Sequence, residues 1–121
     1  MAKTNGTESP INGQYKPGTG SVSKYLVTPE SSIEPVMSVV MPTMNEADGI
    51  RICIDRIITA IDSLELPTEI IVSDSSTDRT PDIARQAGAR VVTPDKEGYG
   101  YAYLYGFEAA NGEYIVLGDA D

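Results

Sequence analysis

The sequence predicts an α/β fold: a mostly parallel sheet with helices on both faces. Three observations carry this. Short apolar, often β-branched runs recur at VMSVVMP (36–42), EIIVSD (69–74), RVVTP (90–94) and EYIVLGD (113–119). Between them lie stretches with helical spacing or helix stop signals. The runs themselves are bounded by Pro, Gly or acidic residues, which keeps them at strand length. Strands that alternate with helices need crossover connections, and crossovers of one hand produce a parallel sheet covered on both sides. The same handedness brings every strand's C-terminal end to one edge, where folds of this kind bind ligands.

The elements follow in order. Residues 1–35 are rich in Gly, Ser, Thr, Pro and Asn without periodicity, and read as a flexible N-terminal arm. Val36 opens the first strand, which Pro42 ends. Asn45 stands where a helix cap belongs, with Asp48 three residues on and Glu46 near the positive helix end. In the helix that follows, Ile50, Ile54, Ile57, Ile61 and Leu64 form one apolar stripe, opposite Arg51, Asp55 and Asp62. Pro67 closes the unit, and the second strand ends in Asp74. SSTDRTPDIARQAGA supplies a loop and a second helix, with Thr80 as cap, Pro81 at the first helical position and Gly88 past the end. The third strand leads to KEGYGYAYLYGFEAANG. Tyrosines at 99, 101, 103 and 105 alternate as in a strand. The small residues Ala102, Gly106 and Ala109 or Ala110, followed by Asn111-Gly112 as a stop, favour a helix lying close to the sheet. The fourth strand ends near Asp119 and Asp121.

Composition narrows the chemistry. Eighteen acidic residues against nine basic ones give 121 residues a net charge of −9. That argues against a nucleic-acid backbone as partner, disfavours an anionic membrane surface for this segment, and suits a salt-rich cytoplasm. Cys53 is the sole cysteine and no histidine is present. A zinc site of the usual kind is therefore ruled out, and any cation must be a hard one held by oxygen, such as magnesium, manganese or calcium. Cys53 lies among isoleucines and reads as a small core residue. MAKTNGTESP has no apolar secretory core, and no run nears the ~18 residues of a membrane span, so the segment is expected to face the cytoplasm. The triplet Asn5-Gly6-Thr7, without a secretory signal, reads as a chance glycosylation match.

Glu46, Asp74, Asp119 and Asp121 all fall just past strand ends, so the topology gathers four carboxylates along one crevice. Each alone reads as loop solvation. Together they repel unless a cation or ligand donors offset them. Asp119 and Asp121 share a side in an extended segment, and two oxygens there suit Mg²⁺ or Mn²⁺ bridging to a diphosphate. Gly98-Tyr99-Gly100 starts like a dinucleotide fingerprint, but Tyr103 stands where Gly or Ala is needed; no Walker lysine loop or Ser-His-Asp set exists.

SVVMPTMNEADGI, EIIVSDSSTDRTPDIARQAGARVV and GYGYAYLYGFEAANGEYIVLGDAD, in this order and spacing, resemble the N-terminal, donor-binding half of a family 2 glycosyltransferase with the Rossmann-like GT-A fold. The resemblance covers residues 36–121 and is strongest to enzymes acting on polyprenyl or dolichyl phosphates; Tyr103-Leu104, where many members carry Arg-Asn, leans the same way. It implies roles for single residues. Pro42, Thr43 and Glu46 match the motif against the nucleoside, Asp74 the acid that reads the base, and Asp78 with Thr80 the loop after it. Lys96 and the Gly98/Gly100 loop lie near the donor, and Asp119-Ala120-Asp121 matches the metal-binding DxD. Ser73 and Ser75 flank Asp74 where the family commonly has a second acid, so the base, uracil or guanine, stays open. It further implies Mg²⁺ or Mn²⁺ as cofactor, a nucleotide-diphosphate sugar as donor and a lipid phosphate or glycan as acceptor. The full-length enzyme would be inverting, associated with the cytoplasmic membrane face, and have its general base beyond Asp121. The chain is then expected to be truncated at the DxD and inactive in transfer by itself. The alternatives are a sugar nucleotidyltransferase, against which the acidic PTMNEADG loop speaks, and a non-catalytic nucleotide-binding module.

Overall fold

A computed structural model describes residues 23–120. Four strands and three helices alternate: β1 Met37–Thr43, α1 Ile50–Leu64, β2 Thr68–Asp74, α2 Thr80–Gln86, β3 Arg90–Val92, α3 Tyr99–Ala109 and β4 Tyr114–Leu117. The sheet order is β3-β2-β1-β4, and every pairing is parallel. In register, Met37 of β1 lies opposite both Thr68 and Tyr114, and Thr43 opposite Asp74. The central pair β1–β2 is thus the spine, and its C-terminal ends stop side by side.

The alternation of side chains assigns the two faces. Met41, Ile70 and Val72 face α1 and α2, where they meet Ile50, Ile54, Ile58, Ile61 and Ala84 in the main core. Val40 and Ser73 face α3, and there the expected small-residue stripe has a measurable cause. A Cβ on Gly106 would come within 2.4 Å of Val40 Cγ1. Only a bare backbone lets α3 sit this close, and Ala102 beside it is likewise buried.

Local readings need correction in four places. The buried stripe of α1 runs through Ile58; Ile57 is half-buried and Leu64 is 65% exposed. The helix turns about 100° per residue, so 54, 58 and 61 stay on one face while 57 and 64 drift off it. Asn45 is not the cap of α1, which starts at Ile50 after Gly49 with no side-chain cap bond. Thr80 is not the cap of α2 but its first residue, fully buried, and Asp78 accepts its N–H instead. Finally, within the segment read as an arm, residues 1–22 lie outside the described residues, while Tyr25 and Val27 exchange backbone hydrogen bonds with Thr68. Leu26 packs on the core and would touch a Cβ added at Gly88, which already has φ +104. Polar composition gave no sign of this contact, because it is made by backbone groups and one leucine.

Candidate functional site

Two loops at the C-terminal edge, 44–49 after β1 and 75–79 after β2, are laced together. Ser75 N–H donates to Thr43 O (3.0 Å), Asn45 N–H to Ser76 Oγ (2.7 Å) and Glu46 N–H to Thr80 Oγ1 (2.9 Å). Asn45 Oδ1 accepts in return from Thr77 N–H (2.9 Å) and Asp78 N–H (3.3 Å). These bonds satisfy backbone groups that the ends of two parallel strands leave without ladder partners.

Asp74 is the pivot. It is 3% exposed, and burial at that level requires hydrogen-bond partners. Oδ1 accepts from Thr43 Oγ1 and Ser76 Oγ, both at 2.6 Å, and Oδ2 accepts from Ser76 N–H at 3.1 Å. Asp78 is tied in the same manner: Oδ1 accepts from both the N–H and the hydroxyl of Thr80, and these bonds hold its carboxyl below the usual carboxylate range. Beside Asp74 opens a cleft of about 380 Å³, lined also by Ser76, Arg85, Asp95 and Lys96. The Lys96 ammonium sits 5.5 Å over the Tyr101 ring, whose hydroxyl donates to Asp95 Oδ1. A positive φ of 110° at Gly98 swings the chain from this rim into α3.

A second group gathers at the start of α1. Cys53, half-buried and packed against the core, has its thiol 3.6 Å from Met41 Sδ and 3.7 Å from the Asp119 carbonyl. Burial pushes the Cys53 thiol pKa up, Arg56 opposes this, and the charges of Asp119 and Glu46 raise it further. Tyr103 of α3 donates to Gly118 O (2.9 Å) and holds the segment that carries Asp119.

Of the residues singled out in the sequence, Asp74 and Lys96 line the cleft, and Thr43 and Asp78 brace it. Pro42 is buried in β1, Gly98 opens α3, and Asp119 is exposed beyond β4. Asp121 lies outside the described residues. Among the described residues, which leave out Asp121, no three acidic, histidine or cysteine side chains lie close enough to hold a metal together. The Asp74 carboxylate is engaged by Thr43 and Ser76. Missed in the sequence were Asn45 as a loop clamp, and Arg85, Asp95 and Tyr103. Only Ser76, inside DSSTDRT, had a signal in the motif.

The family described as Glycosyl transferase family 2 matches residues 38–121. A low-salt glycan biosynthesis hexosyltransferase of Haloferax volcanii is 44% identical over all of this chain and 32% of its own length. A dolichyl-phosphate hexose transferase of the same organism is 36% identical over 70% of this chain and 36% of its own length. Among solved structures, the glucosyl-3-phosphoglycerate synthase of Mycobacterium tuberculosis, in complex with Mn²⁺, uridine diphosphate and glucosyl-3-phosphoglycerate, superposes with a TM-score of 0.62 at 34% identity. That likeness covers 72% of this chain and 34% of the synthase. The chain spans about a third of the length of each of these relatives.

Proposed function

The chain belongs to glycosyl transferase family 2, and from that premise we propose that it is the donor-binding part of an enzyme that moves a sugar from a nucleoside diphosphate to a lipid phosphate of the polyprenyl or dolichyl kind. The observation that carries the donor site is Asp74, buried yet opening on a cleft of about 380 Å³ at the strand C-terminal edge. A carboxylate already fixed by three donors loses little freedom when it accepts one more, which is how a preorganised group reads a base N–H. Pro42, Thr43 and Asp78 support it, while Lys96, with Gly98 behind it, supplies positive charge at the rim. The lipid-phosphate acceptor is supported by the dolichyl-phosphate hexose transferase; the synthase named above, whose complex contains a phosphoglycerate glycoside, supports sugar transfer without that acceptor.

Asp119 and Asp121 would hold Mg²⁺ or Mn²⁺. Asp119 fits this role: it is exposed and offers hard oxygen donors. The cation, when bound, neutralises charge on a leaving diphosphate. The chain's own contribution is to orient the donor between the laced loops and the Lys96 rim. The general base, the acceptor pocket and association with the cytoplasmic membrane face belong to the longer protein in this reading. Among the described residues no helix is long and apolar enough to cross a membrane.

Calorimetry of the chain with uridine diphosphate and Mn²⁺ tests the proposal. Asp74→Ala should weaken binding by about 1–3 kcal/mol, the range for loss of a charged hydrogen-bond partner. Asp119→Asn should abolish the dependence on Mn²⁺ while leaving the circular dichroism spectrum unchanged. Wild-type affinity in both variants would sink the assignment.

A further inference from the structure

Asn45 is exposed, yet its backbone is held at φ 57°, a left-handed conformation that costs most residues free energy and that Asn tolerates better than most. Such a conformation persists only where surrounding bonds fix it. Here the bonds run to the neighbouring loop. The side-chain oxygen accepts from Thr77 N–H (2.9 Å), Thr77 Oγ1 (3.3 Å) and Asp78 N–H (3.3 Å). The Asn45 N–H donates to Ser76 Oγ at 2.7 Å, and that hydroxyl donates on to Asp74 Oδ1 at 2.6 Å. One residue thus grips the backbone of the second loop with its side chain and, through Ser76, faces the carboxylate at the cleft.

We infer that Asn45 is a positioning residue: it fixes the Ser76–Asp78 loop, and through Ser76 the Asp74 carboxylate, in the arrangement that receives the ligand. The inference rests on the donor-binding reading of the cleft. It acts by preorganisation. A loop held before the ligand arrives need not be ordered by it, so loss of the grip appears as weaker binding. Two substitutions separate the parts of the grip. Asn45→Gly keeps the left-handed backbone accessible and removes the acceptor. Asn45→Asp tolerates the same backbone and keeps an oxygen facing the two N–H groups.

The test combines two measurements on the full chain. Amide hydrogen exchange without ligand reads the grip directly. Thr77 and Asp78 should lose protection about five- to tenfold in Asn45→Gly, the cost of a lost hydrogen bond, and regain most of it in Asn45→Asp. Calorimetry with uridine diphosphate and Mn²⁺ reads the consequence: affinity falls by a similar factor in the Gly variant and is largely restored in the Asp variant. Unchanged protection in Asn45→Gly, or altered protection with equal affinity in all three proteins, overturns the inference. Failure of the donor-binding reading looks different, because wild type and both variants then bind no nucleotide at all.

Discussion

β2 and β4 both flank β1 in parallel, and their sequences are close to interchangeable: TEIIVSD against EYIVLGD. Yet every residue of β2 is buried, whereas Tyr114, Ile115, Val116 and Leu117 of β4 are 62, 44, 44 and 56% exposed. The difference lies in what surrounds them. β2 is sandwiched between α1 and α2 on one face and α3 on the other, and β3 covers its far edge. β4 has β1 on one side only, so its other backbone edge faces solvent among the described residues. An apolar run therefore specifies extended structure, and its neighbours decide how much hydrophobic free energy it yields.

The largest expected effect comes from matched truncations. Ile71→Ala, at a fully buried site, should destabilise the chain by about 3 kcal/mol, and Ile115→Ala by less than about 1 kcal/mol. Urea unfolding followed by circular dichroism measures both. Equal losses would mean that β4 is covered in solution and would break the comparison.

Next come two glycines of α3. Gly106→Ala drives a methyl into Val40 and should cost about 2 kcal/mol. Gly100→Ala meets nothing within 4 Å and should gain about 0.5 kcal/mol from helix propensity alone. A harmless Gly106→Ala in thermal melts would show that α3 stands further from the buried half of the sheet.

Two serines on the α3 face sharpen the point. Ser38 Oγ donates to buried Glu69 Oε2 (2.6 Å) and accepts from Gly112 N–H (2.9 Å), while Ser73 Oγ has no partner. Ser38→Ala should therefore cost about 1–2 kcal/mol, because it strands the Gly112 N–H and removes one donor from Glu69, which keeps Asn111 N–H and Arg90. Ser73→Ala should be neutral or stabilise by up to about 1 kcal/mol. Denaturant midpoints at constant slope would report the opposite signs.

The smallest effect concerns pH. The bonds from Thr80 lower the Asp78 carboxyl pKa, so their stabilisation is present above the unfolded-state pKa, about 4. It is lost as pH falls through the lower folded-state value. Carboxyl chemical shifts followed by NMR should show Asp78 titrating below the usual range, and Thr80→Val should move it back up.

Much of this architecture was legible in the residues. Strand runs, Pro81, Gly88 and the Ala102/Gly106 stripe all speak through local chemistry, and the structure has each of them in its expected element. Family membership and the GT-A fold follow from motifs whose order is readable by eye. Asn45 misled because an amide before a helix has two uses, capping its own helix or clamping a neighbouring loop. Only the distance to Thr77 and Asp78 decides between them. Glu46, Asp74 and Asp119 fall at corresponding strand ends, but the bonds that fix the Asp74 carboxylate to Thr43 and Ser76 leave no mark in position along the chain. Ser23–Val27 escaped for a related reason: a backbone bond to Thr68 leaves no mark on composition.

The sheet order also sets a schedule for folding. No two adjacent strands form a hairpin, so every pairing waits for distant chain to return. The Ser38–Glu69 contact closes 31 residues, and the Ser38–Gly112 contact 74. The longer closure costs about 0.8 kcal/mol more in chain entropy, and it recovers less buried surface because β4 remains exposed. The β1–β2 pair should therefore assemble first around α1, with β4 docking last. On the way back, β4 and the Asp119 segment should open before the rest of the sheet, on a timescale set by local fluctuation instead of global unfolding.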